Sequence, residues 1–480
     1  MTRRIIGPFN RVEGDLEVCI DIKDGAISDA RITSTLYRGF EQILEGKDPR
    51  DALIYAPRIC GICSVSQSVA AAYALNDIQK ITVPDNGQLA TKLISATENV
   101  ADHLTHFYMF FMPDFARETY RAKPWFEHIE KRFKATKGTA LAEILPARAE
   151  FLNILGILAG KWPHSLAIQP GGTTKSIEVQ EKTRLLTLIA SFRRTLEKAL
   201  FGTSLEHIAQ LSSNMNLMTW AENDTAESSD FRNFLNVAEE LNLCQLGKSE
   251  SCFLSYGAYP TDGIGAFSRG VYEKGAVSEF DPACIEEDSS HTWMAHRNKA
   301  RHPFDGITVP DADAENAYSW SKAPRLNGAT AEVGALARQL VDGHPLARDL
   351  GHGNVRSRVI CRMLEIARIL PMMEEWVQAL KPGEPCCITT EMPDDAQGYG
   401  LVEAARGSLG HWVKVRDGRI QNYQIIAPTT WNFSPRDMHQ VPGALEQALI
   451  GNLVDEDEKD PVVVQHIVRS FDPCMVCTVH

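Results

Sequence analysis

FDPCMVCTVH, residues 471–480, places Cys474, Cys477 and His480 at the very end of the chain. Chain ends usually fray and carry little, so a Cys-x-x-Cys in this position calls for a partner elsewhere. PRICGIC, residues 57–63, supplies one in Cys60 and Cys63, and the eleven cysteines form no other such pair. Four thiolates from the two pairs can share one metal only if the two ends of the chain meet in space. The run SVSQSVAAAYAL after Cys63 suits a helix start, where free backbone N–H groups and the helix dipole favour thiolate over thiol. On spacing alone, structural zinc, an iron-sulfur cluster, a reactive nickel-type site and two metal-free dithiols all remain open. An ionisable shell separates a reactive centre from a structural knot. Candidates for it are Glu13 in FNRVEGD, Glu41 in YRGFEQILEGKDP, Asp472 and His480.

The remaining composition narrows the class. A 480-residue chain with 44% hydrophobic and 23% charged residues has the balance of a soluble globular enzyme. A net charge of -13 argues against a nucleic-acid footprint. No run approaches a membrane span, and MTRRIIGPFNRVEG has arginines but no apolar stretch of signal-peptide type behind them, so no membrane insertion and a cytoplasmic location are expected. The cysteines are too dilute and unevenly spaced for a disulfide scaffold.

Two hairpins are expected, LEVCIDIKDGAISDARITS at 16–34 and HWVKVRDGRIQNYQII at 411–426, each turning on Asp-Gly. Between them, apolar periodicity predicts helices near 64–76, 88–112, 138–159, 176–213, 324–342, 356–380 and 443–453, with 214–320 read as long connections. The fold class is α+β, mainly helical: a central bundle of long helices with small antiparallel hairpins near both termini. One unit is expected, with a hairpin region at 1–50, a helical body at 51–380 and a β-containing, metal-binding region at 381–480. Both ends should converge on the site. DEDEKD at 455–460 reads as a solvated connection, and His291, His296 and His302 as surface or structural histidines. GHGNV at 351–355 lacks the third glycine of a dinucleotide fingerprint.

RVEGD, LYRGFEQILEGKDPRDA, PRICGIC, DHLTHFYMF, PGGTTKS, YSWSKAPR, EVGALARQL, EAARGSLGHW, YQIIAPTTWNF and SFDPCMVCTVH follow one another along nearly the whole chain. This ordered set resembles the large, catalytic subunit of a nickel-iron hydrogenase. The resemblance implies that chain's fold and reversible heterolytic cleavage of dihydrogen into protons and electrons. It implies nickel held by Cys60, Cys63, Cys474 and Cys477, with Cys63 and Cys477 bridging to an iron that carries carbon monoxide and two cyanides. Sulfur-rich softness suits nickel. In this resemblance Cys477 passes a proton to Glu13, whose role depends on proximity and a suitable pKa. Arg406 overhangs the metals, oriented by Asp102 and Asp472, and Thr430 donates to a cyanide. Glu41, His480 and the carbonyl of Ile425 or Ile426 hold Mg2+.

Four positions depart from most of the family. Gln67 stands where histidine is usual, and cannot titrate near neutral pH; Ala405 stands for proline. Ile62 and Phe110 are bulkier than the usual valine and leucine at the inner end of the gas channel. Ile62, Phe110, Gln67 and the chain length together are similar to the regulatory, hydrogen-sensing class, with slow turnover. No further cysteine pattern fits an electron relay, so the resemblance implies a small subunit bearing iron-sulfur clusters. It also implies a sensor histidine kinase, a dimer of heterodimers, nickel-insertion proteins and a maturation protease that trims the chain after His480. Two alternatives stand beside the sensor: an energy-conserving uptake hydrogenase, and a non-catalytic zinc-binding structural subunit.

Overall fold

The computed structural model describes residues 2–249, 252–295, 299–455 and 458–480. His296 and, in DEDEKD, Glu456 and Asp457 lie outside the described residues. Helix accounts for about 46% of the chain and strand for about 21%, a mixed α+β fold.

Near the amino terminus, Leu16–Lys23 pairs antiparallel with Ala26–Ser34, and Thr2–Ile6 adds a third strand beside the first. Asp24 and Gly25 both take positive φ, the requirement of a tight two-residue hairpin turn. Near the other end, Ala396–Ala404, Gly407–Arg416 and Arg419–Ile426 form an antiparallel meander, its second turn again an Asp-Gly, Asp417 and Gly418. The middle strand is buried along nearly its full length, because helix Ser64–Gln79 covers the meander.

Two glycines make that packing close. A Cβ on Gly400 would stand 2.0 Å from the Ala70 carbonyl oxygen, and one on Gly398 would stand 2.8 Å from that of Ala74. The central helix, Val355–Ala379, is buried almost continuously from Val355 to Leu370 and packs against Asp85–Thr105, Val179–Thr195 and Val462–Phe471.

Three expectations change. Residues 324–342 are not one helix: Ala323–Leu326 and Ala331–Glu332 are short strands around Asn327 and Gly328, and the helix starts at Ala335. Within 214–320, helices Asn214–Glu222 and Asp230–Glu240 precede a long hairpin, Cys252–Thr261 with Ile264–Glu273. Ala276–Ser278 and, in parallel, Ala331–Glu332 widen this hairpin to four strands. The predicted helix at 176–213 is broken at Gly202, which has φ 65°, and the one at 138–159 divides at Leu152.

The ends of the chain are joined by backbone hydrogen bonds. Met475 N–H donates to the Glu13 carbonyl at 2.7 Å, Glu13 N–H to that of Pro473 at 3.4 Å, and Arg38 N–H to that of Val479 at 3.0 Å. Gly14, at φ 81°, has Met475 and Val476 atoms 3.1 Å from where a Cβ would stand, so the tail closes directly over it.

Candidate metal centre

Cys60 and Cys63 lie on the turn between the short helix Ala56–Arg58 and Ser64–Gln79, with Cys63 at the N-cap of the latter. Cys474 and Cys477 lie on the last helical turn, Met475–Thr478, entered through Asp472 in the left-handed conformation at φ 59°. The four sulfurs are buried and within 4.8 Å of one another. Cys60 Sγ is 3.5 Å from Cys474 Sγ, Cys63 Sγ is 3.0 Å from Cys477 Sγ, and Cys474 Sγ is 3.2 Å from Cys477 Sγ. All four are free thiols. In this crowd, hydrogen bonds from Cys474, Cys477 and Cys63 bring the Cys60 thiol well below its ordinary value, whereas Cys63 and Cys477 are driven well above theirs. Four such sulfurs cannot all ionise side by side without a cation, and a soft dication among them is the charge they lack. The donor set therefore fits a thiolate-bound metal.

The helix start contributes less than the sequence suggests. Val65 N–H and Ser66 N–H donate to the Glu98 carboxylate at 2.8 and 3.0 Å, so these two N–H groups are not left for the Cys63 sulfur. Ile62 N–H donates to Cys60 Sγ at 3.3 Å.

Arg406 is buried between Asp102 and Asp472. Its Nη1 pairs with Asp102 Oδ2, its Nη2 with Asp472 Oδ1 at 3.1 Å, and its Nε with the Asp472 carbonyl at 2.9 Å. Burial and then the Asp472 charge push the Asp102 carboxyl up, against the pull of Arg406. The loop that presents Arg406 is held by Arg338, which donates to the Ala404 and Ala405 carbonyls at 2.9 and 3.0 Å and pairs with Glu365 and Glu403.

Glu41, Ile425 and His480 also come together. Ile425 N–H donates to Glu41 Oε1 at 2.8 Å, and His480 Nε2 lies 3.3 Å from the same oxygen. His480 Nδ1 is 2.6 Å from the Cys477 carbonyl, which ties the terminal ring to the cysteine turn. The sequence reading missed Lys322, whose Nζ donates to Glu41 at 3.0 Å, Thr308 at 2.9 Å and Gln424 at 2.7 Å and lies 3.6 Å from Glu287. Burial would raise the Glu41 carboxyl, but Lys322, His480 and Thr308 bring it down to about 2. Among the described residues, neither carboxylate oxygen of buried Glu287 has a hydrogen-bond partner. With two buried carboxylates facing one ammonium, the residues fit a further oxygen-loving cation.

Of the other predicted residues, Glu13 is half-buried, and among the described residues its carboxyl makes no hydrogen bond; burial and then the Cys60 charge raise its pKa, with Arg406 opposing. Gln67 is fully buried with Nε2 4.0 Å from Cys477 Sγ. Thr430 Oγ1 accepts from Ala427 N–H at 3.2 Å, while its neighbour Thr429 accepts from Cys474 N–H at 3.0 Å. Ile426 is buried one residue after the Glu41 contact. Ile62 packs on the main core beside the cysteines; Phe110 is half-buried in the wide turn His106–Phe111, its carbonyl accepting from Arg11 at 3.1 Å. Arg38 was also missed: it donates to the Ile59 carbonyl, to that of Arg58 at 3.2 Å and to that of Val476 at 3.3 Å, joining the two cysteine turns. A lone arginine in YRGFE carried no signal for this.

A family profile described as nickel-dependent hydrogenase matches residues 38–124 and 139–480. The chain is 30% identical to the periplasmic [NiFeSe] hydrogenase large subunit of Desulfomicrobium baculatum, over 99% of this chain and 94% of that one. It is 28% identical to the Hydrogenase-1 large chain of Escherichia coli (strain K12), over 100% and 95%. Among solved structures, the Ni-Fe-Se hydrogenase from D. vulgaris Hildenborough in the reduced state superposes with a TM-score of 0.83 at 31% identity, covering 100% of both chains.

Proposed function

The chain belongs to the nickel-dependent hydrogenase family as a catalytic large subunit, and on that premise we propose that it works as a slow, hydrogen-sensing member of it. The observation that carries the chemistry is the buried four-sulfur cluster. Cys60 and Cys474 would hold the nickel alone, and Cys63 and Cys477 would share it with an iron bearing carbon monoxide and two cyanides. When bound, that centre supplies heterolysis of dihydrogen. The chain's own groups then manage the proton and the charge. Cys477 Sγ would take the proton, and Glu13 would receive it on a carboxyl that makes no hydrogen bond among the described residues. Arg406, fixed by two carboxylates, would offer its guanidinium to the iron ligands, and Thr430 would donate to a cyanide. Mg2+ would sit with Glu41, His480 and the carbonyl of Ile425 or Ile426, drawn by the Glu287 carboxylate that shares the Lys322 ammonium with Glu41, and would pin the tail.

Infrared spectroscopy with nickel analysis tests the centre: cyanide and carbon monoxide stretches together with nickel support it, and zinc with a silent spectrum would return the site to a structural role. Glu13→Gln should retain nickel and lose hydrogen-deuterium exchange; undiminished exchange removes Glu13 from the proton path.

The sensor reading rests on Gln67 near the sulfur in place of a titratable ring, and on bulky Ile62 and Phe110. It places the protein in the cytoplasm, paired with an iron-sulfur small subunit, as a dimer of heterodimers on a histidine kinase, after maturation by nickel-insertion proteins and a protease. Among the described residues no helix is long and apolar enough to cross a membrane. The uptake reading draws on relatives such as the uptake hydrogenase large subunit of Rhodobacter capsulatus, 27% identical. Turnover and the identity of the electron-receiving partner separate the two. Ile62→Val with Phe110→Leu should raise dioxygen sensitivity, and unchanged sensitivity removes the channel argument.

A further inference from the structure

Gln67 is the first link of a buried chain of side chains that runs away from the sulfurs. Its Nε2 is 4.0 Å from Cys477 Sγ, and its Oε1 is 2.8 Å from His411 Nε2. His411 Nδ1 is in turn 2.7 Å from the Tyr423 hydroxyl. All three side chains are fully buried, and among the described residues they make no other hydrogen bonds. His411 and Tyr423 belong to adjacent strands of the carboxy-terminal meander, where Val413 faces Tyr423, so the two lie diagonally on one face. The helix carrying Gln67 reaches that face because Gly398 and Gly400 leave room for it.

The direction of every hydrogen bond in the chain is fixed by its end. A metal-bound thiolate has no proton to give, so it selects the N–H side of the amide. The Gln67 oxygen then faces His411 and requires Nε2–H; Nδ1 is left as an acceptor, and the Tyr423 hydroxyl donates to it. Turning the amide over would set oxygen against sulfur and leave the Tyr423 proton without an acceptor in a buried site. Burial and then the His480 charge push the His411 imidazolium down to about 3, so the ring stays neutral with a single N–H. Each donor polarises the next toward the sulfur.

We infer that His411 and Tyr423 are positioning residues that lock the Gln67 amide as a donor to Cys477 Sγ and so raise the reduction potential of the metal centre. The inference rests on the hydrogenase reading above. An N–H···S bond withdraws charge from a thiolate and favours the reduced metal, a recognised determinant of potential in sulfur-ligated centres. A titratable imidazole in place of Gln67 would change this donation with pH; the amide, with its neutral backing, does not.

The test is a redox titration of the nickel paramagnetic signal in the purified complex with the small subunit. Tyr423→Phe, which deletes one oxygen, should move the oxidised-to-reduced ratio at fixed potential about tenfold toward oxidised, equivalent to 59 mV for one electron. His411→Gln should move it in the same direction. In a Gln67→Ala background neither substitution should move it further. A normal nickel signal with an unmoved potential in Tyr423→Phe, or an equal shift in the Gln67→Ala background, overturns the inference while the hydrogenase reading stands. A wild-type complex without redox-active nickel overturns that reading and the inference with it.

Discussion

Gly400→Ala probes the contact on which both the sulfur cluster and its buried backing depend. The added Cβ would stand 2.0 Å from the Ala70 carbonyl oxygen and 2.6 Å from Ala74 N. Both are main-chain atoms of a helix, so no side chain can swing aside. To bring the Cβ to the 3.0 Å below which real Cβ contacts are essentially never found, helix and strand must part by about 1 Å. Forced overpacking of this kind costs about 1–3 kcal/mol, and more where backbone must move. At about 1–2 °C per kcal/mol for a chain this long, the melting temperature should fall by about 1–6 °C. The same helix begins at Ser64, and Cys63, about 10 Å along its axis from Ala70, caps it. Metal sites tolerate ligand displacements of about 0.2 Å, so nickel per chain should drop to less than half that of the wild type. Gly156→Ala is the control: Gly156 is an exposed helical glycine with nothing within 4 Å of the added Cβ, and the change should stabilise by about 0.5–1 kcal/mol. Differential scanning calorimetry and metal analysis read both. Gly400→Ala with wild-type nickel and a melting temperature within 1 °C of wild type would refute the argument that the glycine sets this contact.

Arg38→Ala removes the guanidinium that joins the Ile59 and Arg58 carbonyls to that of Val476; at about 1.5–3 kcal/mol per charged hydrogen bond, the tail should loosen, seen as faster hydrogen exchange at residues 474–480 and slower nickel incorporation. Glu365 is buried against Arg338 and His103, and these bring its carboxyl down to about 2 although burial alone would raise it. A depressed carboxyl stabilises the fold above its unfolded value near 4.5, and that contribution, on the order of 3 kcal/mol, is lost as pH falls from there toward 2. Glu365→Gln should therefore melt lower at pH 7 and show a shallower acid limb; parallel melting-against-pH curves would show that the carboxyl is not the group responsible.

What could be read from the sequence depended on whether the signal was local. The two Cys-x-x-Cys pairs and the Asp-Gly hairpins are local, and they occupy the structure where their spacing put them. The misreadings came from patterns with two local solutions. APRLNGATAEVGALARQL has helical periodicity, but Asn327-Gly328 offers a turn, and Ala331–Glu332 gains a parallel partner in Cys252–Thr261 that no local window contains. Asp472 stood out by its place two residues before Cys474, whereas Asp102 and Arg406 were identified through resemblance, since nothing in EAARG alone requires its arginine to be buried. Lys322 was beyond either route: a lysine is buried here only because Glu41, Glu287 and Gln424 converge from three distant segments.

At the metal centre, Glu98 is a contact of the same long-range kind. The sequence places a helix start after Cys63 and assigns its N–H groups to the thiolate. The structure has the helix, but Glu98, from a neighbouring helix, accepts from Val65 N–H, Ser66 N–H and the Ser66 hydroxyl as well as from Trp162 Nε1. Burial pushes the Glu98 carboxyl up to about 7, but its four donors are engaged in either state, so those N–H groups at the helix start are taken before they reach sulfur. Electrostatic help from the fold is thereby reduced, and without metal Cys63 and Cys477 are held as thiols. Ionisation of the full quartet must then come from the metal itself, so that binding releases protons, and the empty site stays nearly neutral and can remain packed in the core until the tail closes over it.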